Sequence, residues 1–195
     1  METNSEEYKK HLEEKYLPGR DVYLNTFFYP KIVKQFIPGP VMDLGFGTGA
    51  FLRYLSAKGY TFSGIDSNPH LVGMNKENGL DVALDDVTKL ETIDKPLTNA
   101  ICDNVLEHLD MDQIDSFFNA CKQKFIKNGI LVVIVPDKKG YKRDPTHKTF
   151  VTKEIIQNFC KKQSISLIKD FCHPFNSRFI GRVLYLNMQV FVIKF

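Results

Sequence analysis

Asp43 stands two residues before Gly45, and Gly47 and Gly49 follow at alternate positions in the run Val41-Met42-Asp43-Leu44-Gly45-Phe46-Gly47-Thr48-Gly49-Ala50. Glycine reaches backbone angles closed to other residues and lets a ligand lie directly on the main chain. An apolar run precedes the loop and a helical pattern follows it, so the spacing fits a nucleotide-type cofactor loop. Gly45-x-Gly47-x-x-Ala50 also satisfies the looser dinucleotide fingerprint, and Asp66 lies at about the 20-residue distance that suits a ribose-binding acid. A nicotinamide cofactor is therefore a real alternative on these residues. Asp43 weighs against it. A carboxylate there crowds an anionic pyrophosphate, but suits a ligand carrying a positive amino group and a sulfonium.

Further chemistry follows in chain order. Leu84-Asp85-Asp86-Val87 puts acids where an adenine amino group could donate to them, although adjacent acids are often merely solvated. Asp103-Asn104-Val105-Leu106-Glu107-His108-Leu109 and Asp144-Pro145-Thr146-His147-Lys148-Thr149-Phe150 each bring one histidine. Near neutral pH a histidine can take a proton from a hydroxyl nucleophile. His108 and His147 are the catalytic candidates; the plainer alternatives are a helix-start residue and a loop-ordering residue. Lys138, Lys139, Lys142, Arg143 and Lys148 make the second loop basic around Tyr141, which suits a phosphate-bearing substrate or simply a solvated loop.

These residues need elements to hold them. Residues 5–17 and 21–37 carry helical patterns, broken at Pro18-Gly19 and ended by Pro38-Gly39-Pro40. From Val41 on, strands and helices alternate. Strands are expected at 41–44, 61–65, 81–84, 100–103, 130–135, 164–171 and 188–195, with helices at 50–58 and 69–78 and behind a Thr152 cap. Ile114, Phe117, Phe118, Cys121 and Phe125 form the stripe of one more helix, which Asn128-Gly129 should stop. The apolar run 130–135 suits a central parallel strand covered on both faces. The fold class implied is α/β: a Rossmann-like, doubly wound, mostly parallel sheet with helices on both faces, preceded by N-terminal helices. Residues 1–40 make a helical extension and 41–195 the main domain, together one structural unit. Tyr8, Tyr16, Tyr23, Phe27, Phe28 and Tyr29 in the extension suit a lid, or packing against the sheet edge.

A net charge of +3 over 195 residues does not argue for a nucleic-acid partner. The four cysteines, at 102, 121, 160 and 172, lack metal or redox spacing and suit small core positions in a reducing compartment. The polar start and the absence of an apolar run of roughly 20 residues point to a cytoplasmic protein without a membrane anchor. Oligomeric state is not written in the sequence.

The segments VMDLGFGTGAFL, GIDSNP, ALDDV, NAICDNVLEHL and GILVVIVP, in this order, resemble those of class I S-adenosylmethionine-dependent methyltransferases. The resemblance covers about residues 30 to 172. It implies S-adenosylmethionine as cofactor, with Gly45, Phe46, Gly47, Thr48 and Gly49 wrapping the methionine part. It also implies that Asp66 and Ser67 sit at the ribose, Asp86 and Val87 at the adenine, and Asp43, Cys102 and Asp103 at the amino-acid end. The VLEHL and DPTH segments look most like the branch holding ubiquinone-pathway and sugar or glycan methyltransferases. The implied acceptor is then a hydroxyl of a small molecule or glycan. Glu107, His108 and His147 also resemble the metal set of small-RNA 3′-end methyltransferases, but Asn104 replaces a glutamate of that pattern, which weakens a metal site and leaves RNA 3′-end methylation as a less favoured alternative. A nicotinamide-dependent oxidoreductase and a non-catalytic cofactor-binding protein remain the alternatives.

Overall fold

A computed structural model describes residues 3–14, 22–177 and 187–195. The apolar runs become one seven-stranded sheet in the order β3-β2-β1-β4-β5-β7-β6. Its strands are β1 (Val41–Leu44), β2 (Phe62–Asp66), β3 (Val82–Leu84), β4 (Leu97–Asp103), β5 (Phe125–Pro136), β6 (Ser166–His173) and β7 (Met188–Lys194). All neighbours are parallel as far as β5, while β7 runs antiparallel to both β5 and β6.

The helices are α1 (Glu6–Glu14), α2 (Tyr29–Phe36), α3 (Ala50–Ala57), α4 (Pro69–Glu77), α5 (Met111–Lys124), α6 (Lys138–Tyr141) and α7 (Lys153–Gln163). A π-helical turn, Leu24–Phe28, leads into α2. The expected helix over 21–37 is therefore not one regular element. Tyr16, the rest of 15–21 and the Pro18-Gly19 break lie outside the described residues.

The middle of β5 alternates between two buried clusters. Leu131, Val133 and Val135 pack with the faces of α5 and α7, whereas Val132 and Ile134 pack with those of α2, α3 and α4. That explains its unbroken apolar run: both faces are covered. One boundary differs from the sequence pattern. Phe125 extends the helical stripe of α5, yet it opens β5, pairs with Leu97 and stacks on Phe195 at 4.2 Å. Tertiary packing overrides the local periodicity there. The short 138–141 helix and the 106–108 turn were not apparent from periodicity, being shorter than one repeat of the pattern.

The positions of β2 and β4 on opposite sides of β1 make a topological switch point. Loops leaving β1 and β4 diverge there and open a crevice at the carboxyl ends of the strands. α1 lies across that crevice. Its approach is tied to α4 by Asn68, whose Nδ2 donates to the carbonyls of Thr3 (3.0 Å) and Ser5 (2.9 Å) while its Oδ1 caps α4.

Candidate active site

A cleft of about 570 Å³ fills the crevice, within the range of small-molecule sites. Its floor and near wall come from β1 and its loop: Asp43, Gly45, Phe46, Gly47 and Thr48. Asp66 ends β2 and Ser67 follows it, Asp86 and Val87 follow β3, and Asp103 ends β4. All these expected cofactor residues meet around one space. Two others stand back from it. Gly49 has a left-handed backbone (φ +80°) at the start of α3, where a Cβ would collide with the amide of Asn75. Cys102 is fully buried in the core, one residue before the cleft.

The floor is acidic and dry. Asp43 is only 2% exposed, and burial, together with the charges of Asp103 and Asp66, pushes its carboxyl well above the usual range. Asp66 binds the loop itself: Oδ2 accepts from the Gly47 N–H and Oδ1 from the Asn68 N–H, both at 2.8 Å. Burial raises its pKa even against these donors. Such a floor repels a pyrophosphate and suits a cation. Each Asp66 oxygen also keeps a second lone pair for a ribose hydroxyl. Gly47 (φ +55°) shows only Leu12 of α1 near its missing Cβ, at 4.0 Å, so the main chain faces the cleft. The chemistry of this donor set thus fits a nucleoside bearing a sulfonium and an amino group. Asp85 does something different: its carboxylate accepts from the main chain at Asp86, Glu91 and Thr92 and from the Thr92 hydroxyl, so it shapes the turn.

The other side of the cleft is built by the loops after β4 and β5. Lys148 and Thr149 donate their N–H groups to the Glu107 carbonyl at 2.7 and 3.1 Å, which pins the DPTH loop against the end of β4. His108 and His147 are thereby brought together, ring centroids 4.8 Å apart. His108 lines the cleft and His147 does not.

The hydrogen bonds assign the His108 tautomer. Asp144 Oδ1 accepts from the Thr146 hydroxyl at 2.6 Å, and a carboxylate only accepts. Thr146 Oγ1 must therefore accept from His108 Nδ1 at 3.1 Å, leaving a lone pair on Nε2. The Tyr8 phenol of α1 approaches Nε2 at 3.3 Å. Burial, then Asp144, Glu107 and Asp66, raises the pKa of Tyr8 strongly, so it stays a donor. Asp144 and Thr146 are not singled out by their sequence context, and Tyr8 is expected there only as one of the lid or sheet-edge aromatics. Tyr8 lies a hundred residues from His108, and a lone Thr or Asp in a loop carries no distinctive signal.

Of the expected lid aromatics, Phe28 and Tyr29 are buried in the packing of α2, and Phe27 is exposed. Lys148, among the basic loop residues, lines the cleft beside Gln113.

Comparison with known proteins agrees with this geometry. A methyltransferase-domain family model matches residues 8–184. No curated protein matches the sequence significantly. A SAM-dependent methyltransferase from Archaeoglobus fulgidus superposes with a TM-score of 0.71 at 20% identity, covering 95% of this chain and 99% of that one. Magnesium protoporphyrin IX methyltransferase from Synechocystis PCC 6803 with bound SAH gives 0.71 at 13% identity, over 98% and 95%. A glycopeptide N-methyltransferase complexed with S-adenosylmethionine gives 0.67 at 10% identity, over 91% and 97%. The family match, with the acidic floor under the glycine loop, overturns the nicotinamide alternative, and the chain belongs to the class I S-adenosylmethionine-dependent methyltransferases.

Proposed function

We propose that this enzyme methylates a hydroxyl oxygen of a small-molecule or glycan-type acceptor, with His108 as general base. The cofactor supplies an electrophilic methyl on a sulfonium. Asp43 and Asp103 would hold its cationic amino-acid end, Asp66 and Ser67 its ribose, and Asp86 and Val87 its adenine. The acceptor enters between α1 and the loops after β4 and β5. The cofactor would give its methyl to the acceptor oxygen by direct displacement, with the sulfur keeping the carbon–sulfur bonding pair. The acceptor proton passes to His108 Nε2. Thr146 and Asp144 hold the ring and stabilise the imidazolium, and Tyr8 marks where an acceptor hydroxyl would sit.

The observation that carries this reading is the ordered relay Tyr8–His108–Thr146–Asp144, which turns the acceptor nitrogen of His108, Nε2, to the Tyr8 phenol on the cleft wall, where an acceptor hydroxyl would take that phenol's place. An amine acceptor that attacks as a free base has less need of such a group. The four cysteines are buried and none is in a disulfide, which supports a reducing, cytoplasmic setting. No helix among the described residues is long and apolar enough to cross a membrane.

The test is His108→Gln assayed on matched hydroxyl and amine acceptors. S-adenosylhomocysteine affinity should be unchanged, while kcat for hydroxyl acceptors falls by about 10²–10⁴-fold. Full turnover of a hydroxyl acceptor by this variant would overturn the assignment to oxygen.

A further inference from the structure

The cleft is divided by charge. Its lining acids, Asp43, Asp66, Asp86 and Asp103, all stand at or just past the ends of β1 to β4, on the side that suits a cationic cofactor. Among the described residues, the wall built by the loops after β4 and β5 has no lining carboxylate, and it carries the cleft's one lining ammonium, Lys148. Asp144, in the same loop, does not line the cleft. Its Oδ1 accepts from Thr146, and its Oδ2 lies 3.5 Å from His11 Nε2.

Lys148 is held in place without being neutralised. Its N–H donates to the Glu107 carbonyl at 2.7 Å, and its carbonyl accepts from the Tyr141 hydroxyl at 3.2 Å, so both main-chain groups are fixed. The side chain reaches α5, where Nζ donates to Gln113 Oε1 at 3.4 Å and pairs with no carboxylate among the described residues. Lys138, Lys139, Lys142 and Arg143 do not line the cleft, so the fold selects one ammonium from this basic loop.

Gln113 adds a second donor. Its Oε1 already accepts from the Asp110 N–H at 3.0 Å in the capping box. An N–H only donates, so this bond decides which branch of the amide is the oxygen. Nε2 is then a donor with no partner among the described residues. An ammonium beside an amide N–H is a donor pair for an oxyanion, and both residues line the cleft together with His108. A neutral alcohol would leave this pair to water.

We propose that the hydroxyl acceptor carries an oxyanion, a carboxylate or a phosphate, and that Lys148 Nζ and Gln113 Nε2 hold it while the hydroxyl meets His108. Lys148 and Gln113 are thus specificity residues. The proposal rests on the reading above in taking this cleft as the acceptor site.

The experiment titrates the full chain, saturated with S-adenosylhomocysteine, with two pairs of probes: catechol against its carboxylated twin protocatechuate, and glycerol against glycerol phosphate. Calorimetry reads affinity, and the side-chain amide signal of Gln113 in NMR reads location. At least one anionic probe should bind about 10-fold tighter than its neutral twin and shift the Gln113 signal, and which one does so tells carboxylate from phosphate. Lys148→Met should erase that gap and Lys148→Arg should keep it. Both variants should bind S-adenosylhomocysteine as the parent does, which also shows that they fold. Anionic probes that fail to bind, or bind no tighter than their twins, would overturn the proposal, as would a gap that survives Lys148→Met. A loss of S-adenosylhomocysteine affinity of about 10-fold in Lys148→Met would also overturn it, because the ammonium would then serve the cofactor's own carboxylate. Failure of the hydroxyl reading would look different: the gap would stand in the parent while His108→Gln kept full turnover of a hydroxyl acceptor.

Discussion

Asp66 combines two duties in one carboxylate. Its oxygens accept from the N–H groups of Gly47 and Asn68, which joins the glycine loop to the start of α4, and their remaining lone pairs face the cleft. Asp66→Ala should therefore weaken S-adenosylhomocysteine binding by about 10²–10⁴-fold, since two hydrogen bonds to a charged group contribute about 1.5–3 kcal/mol each. Asp66→Asn should fall between the two, because its amide nitrogen cannot accept from one of those N–H groups. Calorimetric titration of the three proteins measures this, and equal affinity in Asp66→Ala would remove the ribose role. Asp66 was legible in the sequence from its spacing after the glycines. Asp43 was too, because an acid in that place is incompatible with a pyrophosphate. His11 was not: a single histidine in a polar helix has the pattern of a solvated residue, and only the fold sets it against Asp144.

At the scale of elements, the β1–α3 loop uses its glycines for different ends. Gly49 is required by packing, since α4 places the Asn75 amide where a side chain would begin. Gly47 is open on that side, with Leu12 the nearest atom. Both have left-handed backbones, which costs another residue about 1–2 kcal/mol. Gly49→Ala should thus lose clearly more stability than Gly47→Ala, by about 1–3 kcal/mol in urea unfolding, because a clash adds to the strain. Gly47→Ala should instead lose cofactor affinity, as its methyl would stand between the main chain and the ligand. Equal stability losses would contradict this division. The strand–loop–helix order of this region was legible because propensity, periodicity and packing agree there. They disagree at Phe125, where helical spacing continues into a strand that Leu97 and Phe195 hold. The α5 start illustrates a signal present but faint: Asp110 and Gln113 form a reciprocal capping box, written in the sequence as an acid and an amide three residues apart.

Across the whole molecule, the site is assembled at the expense of the unliganded fold. Asp43 from β1 faces Asp66 from β2 and Asp103 from β4, and among the described residues no basic side chain lines that end of the cleft. A carboxyl whose folded pKa is raised takes up protons on folding. Its contribution to stability is complete below the unfolded value, about 3.9, and is lost as pH rises through the folded value. At pH 8 Asp43 therefore weakens the empty protein, and a cationic ligand reverses the effect by favouring the ionised form. Two results should follow together. Asp43→Asn should melt higher than the parent without ligand at pH 8, by about 2–4 °C for each 1 kcal/mol recovered, and the gap should close as pH falls towards the ordinary carboxylate range. The parent should gain about 2.7 kcal/mol from S-adenosylmethionine at 100 times its Kd, whereas Asp43→Asn should gain little at the same concentration. Binding to the parent should also release protons, seen as a calorimetric enthalpy that changes with the ionisation enthalpy of the buffer. Thermal melts at several pH values and calorimetry in two buffers read all of this. An Asp43→Asn protein less stable than the parent at pH 8, yet binding the cofactor normally, would mean that the acid serves packing and not the cation.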